Sequence, residues 1–496
     1  MNAAIEQINQ AIAIVAPEAI LVATACLMFL VGSFLVTDSG QARSGLRHQF
    51  GVLALIALAG AAVVWLTLDA KPVDQGPFRS DQLLWIARTM SLGAGALVSL
   101  ILWNQIDDAH AAEAQACLLA IVAGASLVAA ANDLVTIFLA LELVSIPTYV
   151  LLFLPRRNTA EREATVKYFL LSIFSSGLVL YGMAWLYGAA GTTNLTGISD
   201  TLTQSPGAAT SGALLLAQGL LIAGLCFRMT AFPFHFYAPD VFQAVIPANA
   251  AMLSFVPKLV ATVALLRLVP LTSGSTDLFQ WAPTDSIRAL LALIAVLSMF
   301  VGNLMAWRQK NLYRLLAYSG VANAGYLLVG FAVGPAPVVG SIHAAIFYLA
   351  VYGIMTIGAI ALLSSATFDG GPLRQDSDLR GLSRTSPGAA LLLAVCLLSL
   401  TGLPPTVGFF GKLNLFLAAW SVGDSLGRSL AICLALNAAI AAWYYLRLVA
   451  LMYLEPMPES TAAVRTDWPS WTAGAVCAIA TVCFFVAPQW LWMWLE

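Results

Sequence analysis

Glu142, Arg228, Lys258 and Lys412 lie in or beside apolar stretches that read NDLVTIFLALELVSIPTYVL, LCFRMTAFPFHFYAPDVFQ, MLSFVPKLV and LLSLTGLPPTVGFFGKLNLF. A charge in hydrocarbon is expensive unless paired or hydrated, and charges that persist there mark ion and proton paths. The chemistry on offer is proton binding and release.

Glu142 is flanked by LAL and LVSIP, near the middle of its stretch. Desolvation favours its neutral acid and a nearby cation favours the carboxylate, so the balance can be set for proton exchange; the competing reading is a static buried ion pair. Lys258 has apolar neighbours on both sides apart from Pro257. An amine at that depth either releases and recovers a proton or pairs permanently with an acid. Lys412 follows Pro404 and Pro405 and offers the same choice, and its late position in the stretch also permits snorkelling. Arg228 differs, because a guanidinium does not deprotonate in turnover; it acts as a fixed counter-charge to a carboxylate or as an electrostatic barrier. His235 titrates near neutrality or packs as an aromatic. Lys167 either anchors the start of its stretch or reaches Glu142, and Asp133 reads equally as a second acid or a helix cap.

These residues need a scaffold that spans a bilayer. The chain has 496 residues, 60% hydrophobic and 10% charged, with a mean hydropathy of +0.86, which leaves too little polar surface for a large soluble monomer. Apolar stretches at 15–35, 49–68, 82–103, 114–131, 132–154, 168–190, 212–232, 244–269, 287–306, 313–335, 340–364, 388–416, 427–452 and 471–493 predict an all-α polytopic membrane protein with about fourteen transmembrane helices. The runs are continuous rather than alternating, which favours helices over a barrel. The internal loops are short, so a nucleotide or redox domain has to reside in another chain. Seven cysteines lack CxxC spacing and read as core side chains. The net charge of −2 points to no partner, and no basic and aromatic interleaving suggests nucleic acid. The N-terminus lacks a basic n-region and a cleavage site, so the first stretch is expected to remain as a span.

Two regions share a design: an apolar helix meets proline, then a polar or charged residue, then more apolar chain. Pro233 in one, and Pro404 with Pro405 in the other, free carbonyls at membrane depth, which is tolerated where protein or a hydrated cavity surrounds them. Ordinary packing kinks are the alternative. Matching breaks suggest repeated units at spans 4–8 and 9–13. The expected segments are 1–111 (spans 1–3), 112–270 (first repeat), 286–453 (second repeat) and 466–496 (span 14). Basic residues fall in odd-numbered loops: Arg43 and Arg47; Arg156, Arg157 and Arg162; Arg308, Lys310 and Arg314; Arg374, Arg380 and Arg384. Those loops then face the cytoplasm and both termini the other side. Trp103, Trp185, Trp281, Trp307, Trp443, Tyr444 and Tyr445 read as interface anchors or helix packing.

The motifs APEAIL, NDLVTIFLALELVSIPTYVL, KYFLLS, FPFHFYAPDVFQ, GNLMAWRQKNLYRLLAYSGVANAGYLLVG, GLPPTVGFFGKLNLF and LNAAIAAWYYLR occur in this order along nearly the whole chain. By them the chain resembles the antiporter-like membrane subunits of respiratory complex I, most closely the N-type family of bacterial NADH-quinone oxidoreductase. The resemblance implies two inverted five-helix repeats, broken helices 7 and 12, and proton translocation in a bacterial inner membrane, driven by quinone reduction elsewhere. It implies no cofactor in this chain, with NADH, FMN, iron-sulfur clusters and quinone in or near other subunits. The implied partners are neighbouring antiporter-like and small membrane subunits, with lipid around them. It assigns the proton-translocation roles to Glu142, Lys167, Arg228, His235, Lys258 and Lys412. Two departures stand out: Arg228 replaces a usual lysine, and Asn323 stands where histidine is common. Lys258 and Lys412 favour the N-type over the M-type. A multisubunit sodium/proton antiporter and a structural spacer of a redox complex remain the alternatives.

Overall fold

A backbone with no water to bond must close its hydrogen bonds within each apolar segment, which makes helices of these runs. The computed structural model describes residues 2–36, 43–68, 76–154, 159–204, 212–272, 281–368, 371–456 and 465–493. Arg156 and Arg157 of the basic loops lie outside the described residues. Thirteen of the described helices are long and apolar enough to cross a membrane, and the chain is an all-α polytopic membrane protein at this level. The expected stretch 388–416 is two shorter helices instead.

The chain divides into two compact units. The first holds Met1–Ser99, Trp103–Arg228 and Val256–Ala282. Its helices are α1 (Asn2–Leu35), α2 (Leu46–Thr67), α3 (Gln82–Leu102), α4 (Ala111–Ala130), α5 (Leu134–Phe153), α6 (Thr159–Ala190), α7 (Leu195–Thr203) and α8 (Gly212–Met229). Almost every residue of α4 is buried, consistent with its lack of a polar face. It packs against α1, α2 and α5. Helix starts are fixed by short polar side chains that accept orphan backbone N–H groups. Asp81 accepts from Leu84 ahead of α3, Asp133 from Val135 ahead of α5, and Asn194 from Gly197 ahead of α7. Thr193 also donates to Asp133 at 2.6 Å, so Asp133 is a cap.

The second unit holds Leu100–Leu102, Met229–Phe255 and Pro283–Glu496. After α9 (Ala238–Ala244) and α10 (Pro247–Leu268), whose later part belongs to the first unit, come α11 (Asp285–Trp307), α12 (Leu312–Val333), α13 (Ser341–Ser365) and α14 (Leu382–Thr385). They are followed by α15 (Pro387–Thr401), α16 (Val407–Ser421), α17 (Ser425–Leu454), α18 (Trp468–Val486) and α19 (Gln489–Trp492). The core lies along α12 and α13, both almost wholly buried. α12 packs on α11, α13 and α16, and α13 also meets α15 and α18. Three short antiparallel strands, β1 (Ala366–Phe368), β2 (Gly371–Pro372) and β3 (Arg465–Thr466), pair in the order β2-β1-β3, with Thr367 opposite Pro372 and Ala366 opposite Thr466.

Prolines do not all act alike. Pro17, Pro147 and Pro257 lie inside α1, α5 and α10 without ending them. Pro233 stands in the non-helical residues between α8 and α9, and Pro404 and Pro405 stand between α15 and α16. Cysteines 117, 226, 396 and 477 are buried as expected of core side chains, whereas Cys26 and Cys483 are exposed. Trp281, Tyr444 and Tyr445 are fully buried packing residues, while Trp307 and Trp443 meet at the surface with their rings tilted by 40°.

Candidate functional site

In the first unit Glu142 on α5 and Arg228 in the last turn of α8 meet although 86 residues separate them. Arg228 Nη2 is 3.4 Å from Glu142 Oε1, a long ion pair. Ser176 of α6 closes the gap: Arg228 Nη2 donates to its hydroxyl at 2.9 Å, and the hydroxyl donates to Glu142 Oε1 at 2.6 Å. Arg228 Nη1 donates to the Ser145 hydroxyl at 2.8 Å and reaches the Leu141 carbonyl at 3.4 Å. The guanidinium is buried and the carboxylate only partly so, with side-chain exposures of 6% and 22%. Arg228 therefore spends its donors on α5 and α6, not on the carbonyls that end its own helix.

Past α8 the backbone turns at Thr230, which has a φ of 60°. In the second unit the Phe232 amide donates to Ser298 on α11 at 2.9 Å, and Asp240 on α9 pairs with Arg314 on α12 at 2.7 Å. His235 is half-buried within these non-helical residues, its ring stacked on Phe232 with centroids 5.6 Å apart. Its Nδ1 is buried without a hydrogen-bond partner.

Lys258 sits in α10 among the largest fully buried side chains of the chain. Lys167 lies elsewhere: it is 44% exposed on α6, and its Nζ is 2.7 Å from Glu163 one turn earlier.

Lys412 on α16 meets the end of α15. A helix leaves its last four carbonyls without intrahelical donors. Gly402, with φ 87°, lets the chain reverse so that its own amide and that of Leu403 cover the Leu398 and Ser399 carbonyls. The Leu400 and Thr401 carbonyls remain, and Lys412 Nζ donates to them at 2.8 and 2.9 Å. The ammonium also lies 5.1 Å from the centre of the Tyr326 ring. Among the described residues it has no carboxylate partner. Its support is the negative end of the α15 dipole. The next turn is equally tight, because a Cβ on Gly408 would lie 1.9 Å from the Ser399 carbonyl oxygen.

Around Lys412 the second unit carries a buried uncharged network that reading single residues did not find. Asn303 Nδ2 donates to Tyr326 at 3.2 Å and to Asn437 at 3.0 Å, and Tyr444 donates to Asn303 at 3.0 Å. Asn323 donates to the Ser319 carbonyl at 2.8 Å and accepts from Tyr348; Ser319 also bonds Tyr445. The signal was present as polar residues in LMAWRQ-flanking and YSGVANAGY helices, but an Asn or Tyr letter does not say which helix it faces. Among the described residues no group of three or more His, Cys, Asp or Glu is arranged to hold a metal ion.

Comparison with known proteins agrees with this architecture. Residues 131–436 match the family described as NADH:quinone oxidoreductase/Mrp antiporter, TM. The chain is 36% identical over 468 residues to NADH-quinone oxidoreductase subunit N of Trichlorobacter lovleyi, covering 94% of this chain and 91% of that one. It is 33% identical to the subunit of the same description from Rhodospirillum rubrum, covering 95% and 94%. Among solved structures, a chain of respiratory complex I from Thermus thermophilus with bound aureothin superposes with a TM-score of 0.76 at 30% identity, covering 95% of this chain and 97% of that one. A chain of the Mrp complex from Dietzia sp. shares the fold with a TM-score of 0.77 at 19% identity, covering 96% and 95%. The chain therefore belongs to the NADH-quinone oxidoreductase subunit N family of antiporter-like membrane subunits.

Proposed function

We propose that this chain is a membrane-arm subunit that translocates protons across the bacterial inner membrane, coupled to NADH oxidation and quinone reduction in other subunits. The observation that carries this reading is the buried Lys412 ammonium held by two carbonyls at an interrupted helix end. A lysine balanced against dipoles instead of a full counter-charge can be tipped by modest motion or by an approaching charge, since one pKa unit corresponds to about 1.4 kcal/mol. Proton carriage is assigned to Glu142, Lys258 and Lys412, with His235 as a titratable group beside the first break. Arg228 is the fixed charge that adjusts Glu142, and Lys167 is a surface group that joins the path only by leaving Glu163. Partner-driven perturbation changes occupancy at Glu142, then Lys258, then Lys412, with water bridging the gaps.

The architecture we attach to this function has helices 1–3 in 1–111, inverted repeats in 112–270 and 286–453, and a last helix in 466–496. α8 with α9 forms broken span 7, and α15 with α16 forms broken span 12, giving fourteen crossings. The odd-numbered basic loops face the cytoplasm and both termini the opposite side. The pairing of Arg314 with Asp240, and of Arg374 with the Gln243 carbonyl, supports placing α9 at the odd-loop side. Vesicles containing the assembled complex test the coupling ion: NADH oxidation acidifies the lumen equally with and without sodium if protons are carried. Proton output that requires sodium identifies an antiporter instead.

A further inference from the structure

A second buried charge cluster lies in the first unit, away from the residues assigned above. Glu18 on α1 and Arg88 on α3 are 70 residues apart in sequence and both 3% exposed. Arg88 Nη2 and Nε donate to Glu18 Oε1 at 2.6 and 3.0 Å, and the Ser126 hydroxyl of α4 donates to the same oxygen. Arg88 Nη2 also covers the Ile14 carbonyl at 2.9 Å. The carboxylate is thus lopsided: Oε1 has three donors, while Oε2 is buried without a hydrogen-bond partner. A bare buried carboxylate oxygen is costly, and a proton or a water removes that cost.

Beside this cluster is a cavity of about 400 Å³ whose wall includes Ile14, Arg88, Asp81, Trp65 and Trp85. Arg88 is shared between cavity and carboxylate, and among the described residues its Nη1 has no protein acceptor. Its volume holds several waters, each of which occupies about 30 Å³ in the liquid. The charge at the cavity wall is already settled, because Asp81 pairs with Arg267 at 2.5 Å and with Arg79 at 3.3 Å. The other helices packed on α1 bring no charge to its middle: α2 carries Arg47 and His48 in its first turn, and α4 carries Glu113 in its first turn. Arg88 is the cation Glu18 faces.

We infer that Glu18 is an additional proton-binding site, reached by water through the cavity that Arg88 and Asp81 wall. A cavity water chain delivers the proton, an O–H bond forms at Glu18 Oε2, and the cluster gains one positive charge while Arg88 keeps its bonds to Ile14 and the neutral acid. Use of this site in transport rests on the proton-translocating reading above; its protonation and hydration do not, and the test reads those in the resting complex without turnover.

The assembled complex carrying Leu84→Cys, a position on the cavity wall, is treated in sealed membranes of each orientation with a small membrane-impermeant cationic thiosulfonate. The unsubstituted complex gives the background from its own cysteines. Reaction from one face only is the expected result, and no reaction above background from either face overturns the inference. Infrared spectra at two pH values then follow the carboxyl. Glu18→Gln should remove one exchangeable protonated-carboxyl band, and Ser126→Ala, which keeps the acid and removes a donor, should shift that band. Spectra unchanged by Ser126→Ala overturn the inference even where Glu18→Gln fails to assemble.

Discussion

The Glu142 and Lys412 sites solve the same problem in opposite ways. At the first, the helix ending at Met229 carries an arginine that turns from its own helix end to a carboxylate and two serines on neighbouring helices. At the second, the helix ending at Thr401 gives two carbonyls to a lysine from the helix that follows. The first is a charge neutralised by a charge; the second is a charge held by dipoles. The two sites therefore gain and lose a proton against different surroundings. A proton taken up by Glu142 cancels the charge opposite Arg228, which keeps its bonds to Ser145, Ser176 and the Leu141 carbonyl, whereas an ammonium on carbonyls leaves no opposite charge stranded when its proton departs.

The contrast breaks most visibly on truncation. Arg228→Ala leaves Glu142, Ser145 and Ser176 without their donor and should cost about 1–3 kcal/mol, seen as lower assembly yield and an earlier unfolding transition, with Arg228→Lys recovering most of it. An Arg228→Ala complex as stable as the parent would mean that the pair does not hold the helices together. Gly402→Ala sharpens the second side. Its left-handed backbone costs an L-residue about 1–2 kcal/mol, and the new Cβ would stand 2.9 Å from Lys412 Cδ. Proton output per electron should fall more than stability does; unchanged output would show that the lysine tolerates displacement. Ser176→Ala removes the hydroxyl between Arg228 and Glu142 and should cost about 1 kcal/mol by thermal unfolding, with electron transfer intact.

A group outside both sites supplies a control read by pH. Burial works to raise the Asp81 carboxyl, but the Arg267 guanidinium beside it prevails and holds it below its usual range. Its stabilisation is therefore complete above the ordinary carboxylate range and is lost as pH falls through the lowered folded value. Asp81→Asn should lower the unfolding midpoint at neutral pH and flatten this acid dependence. An acid profile identical to the parent's would remove Asp81 from the account.

Much of this was legible in the letters. Length and hydropathy located most of the helices, because desolvation is written into residue types, and the prolines at 233, 404 and 405 stand in non-helical residues. Pro147 and Pro257 show the limit: the same letter stays inside a helix where the surrounding packing accommodates it. The partners of Lys412 were illegible because backbone carbonyls have no letter. Ser145 and Ser176 were illegible because a serine in an apolar helix usually bonds its own backbone, as Ser145 also does. Glu18 was passed over inside a family motif, since only the fold brings Arg88 to it.

The most direct measurement is proton translocation per electron in reconstituted, normally assembled complex bearing Lys412→Ala. A substantial loss of pumping is expected while NADH oxidation by the other subunits continues. Pumping equal to the parent's would contradict it and reduce Lys412 to a cap on the end of α15.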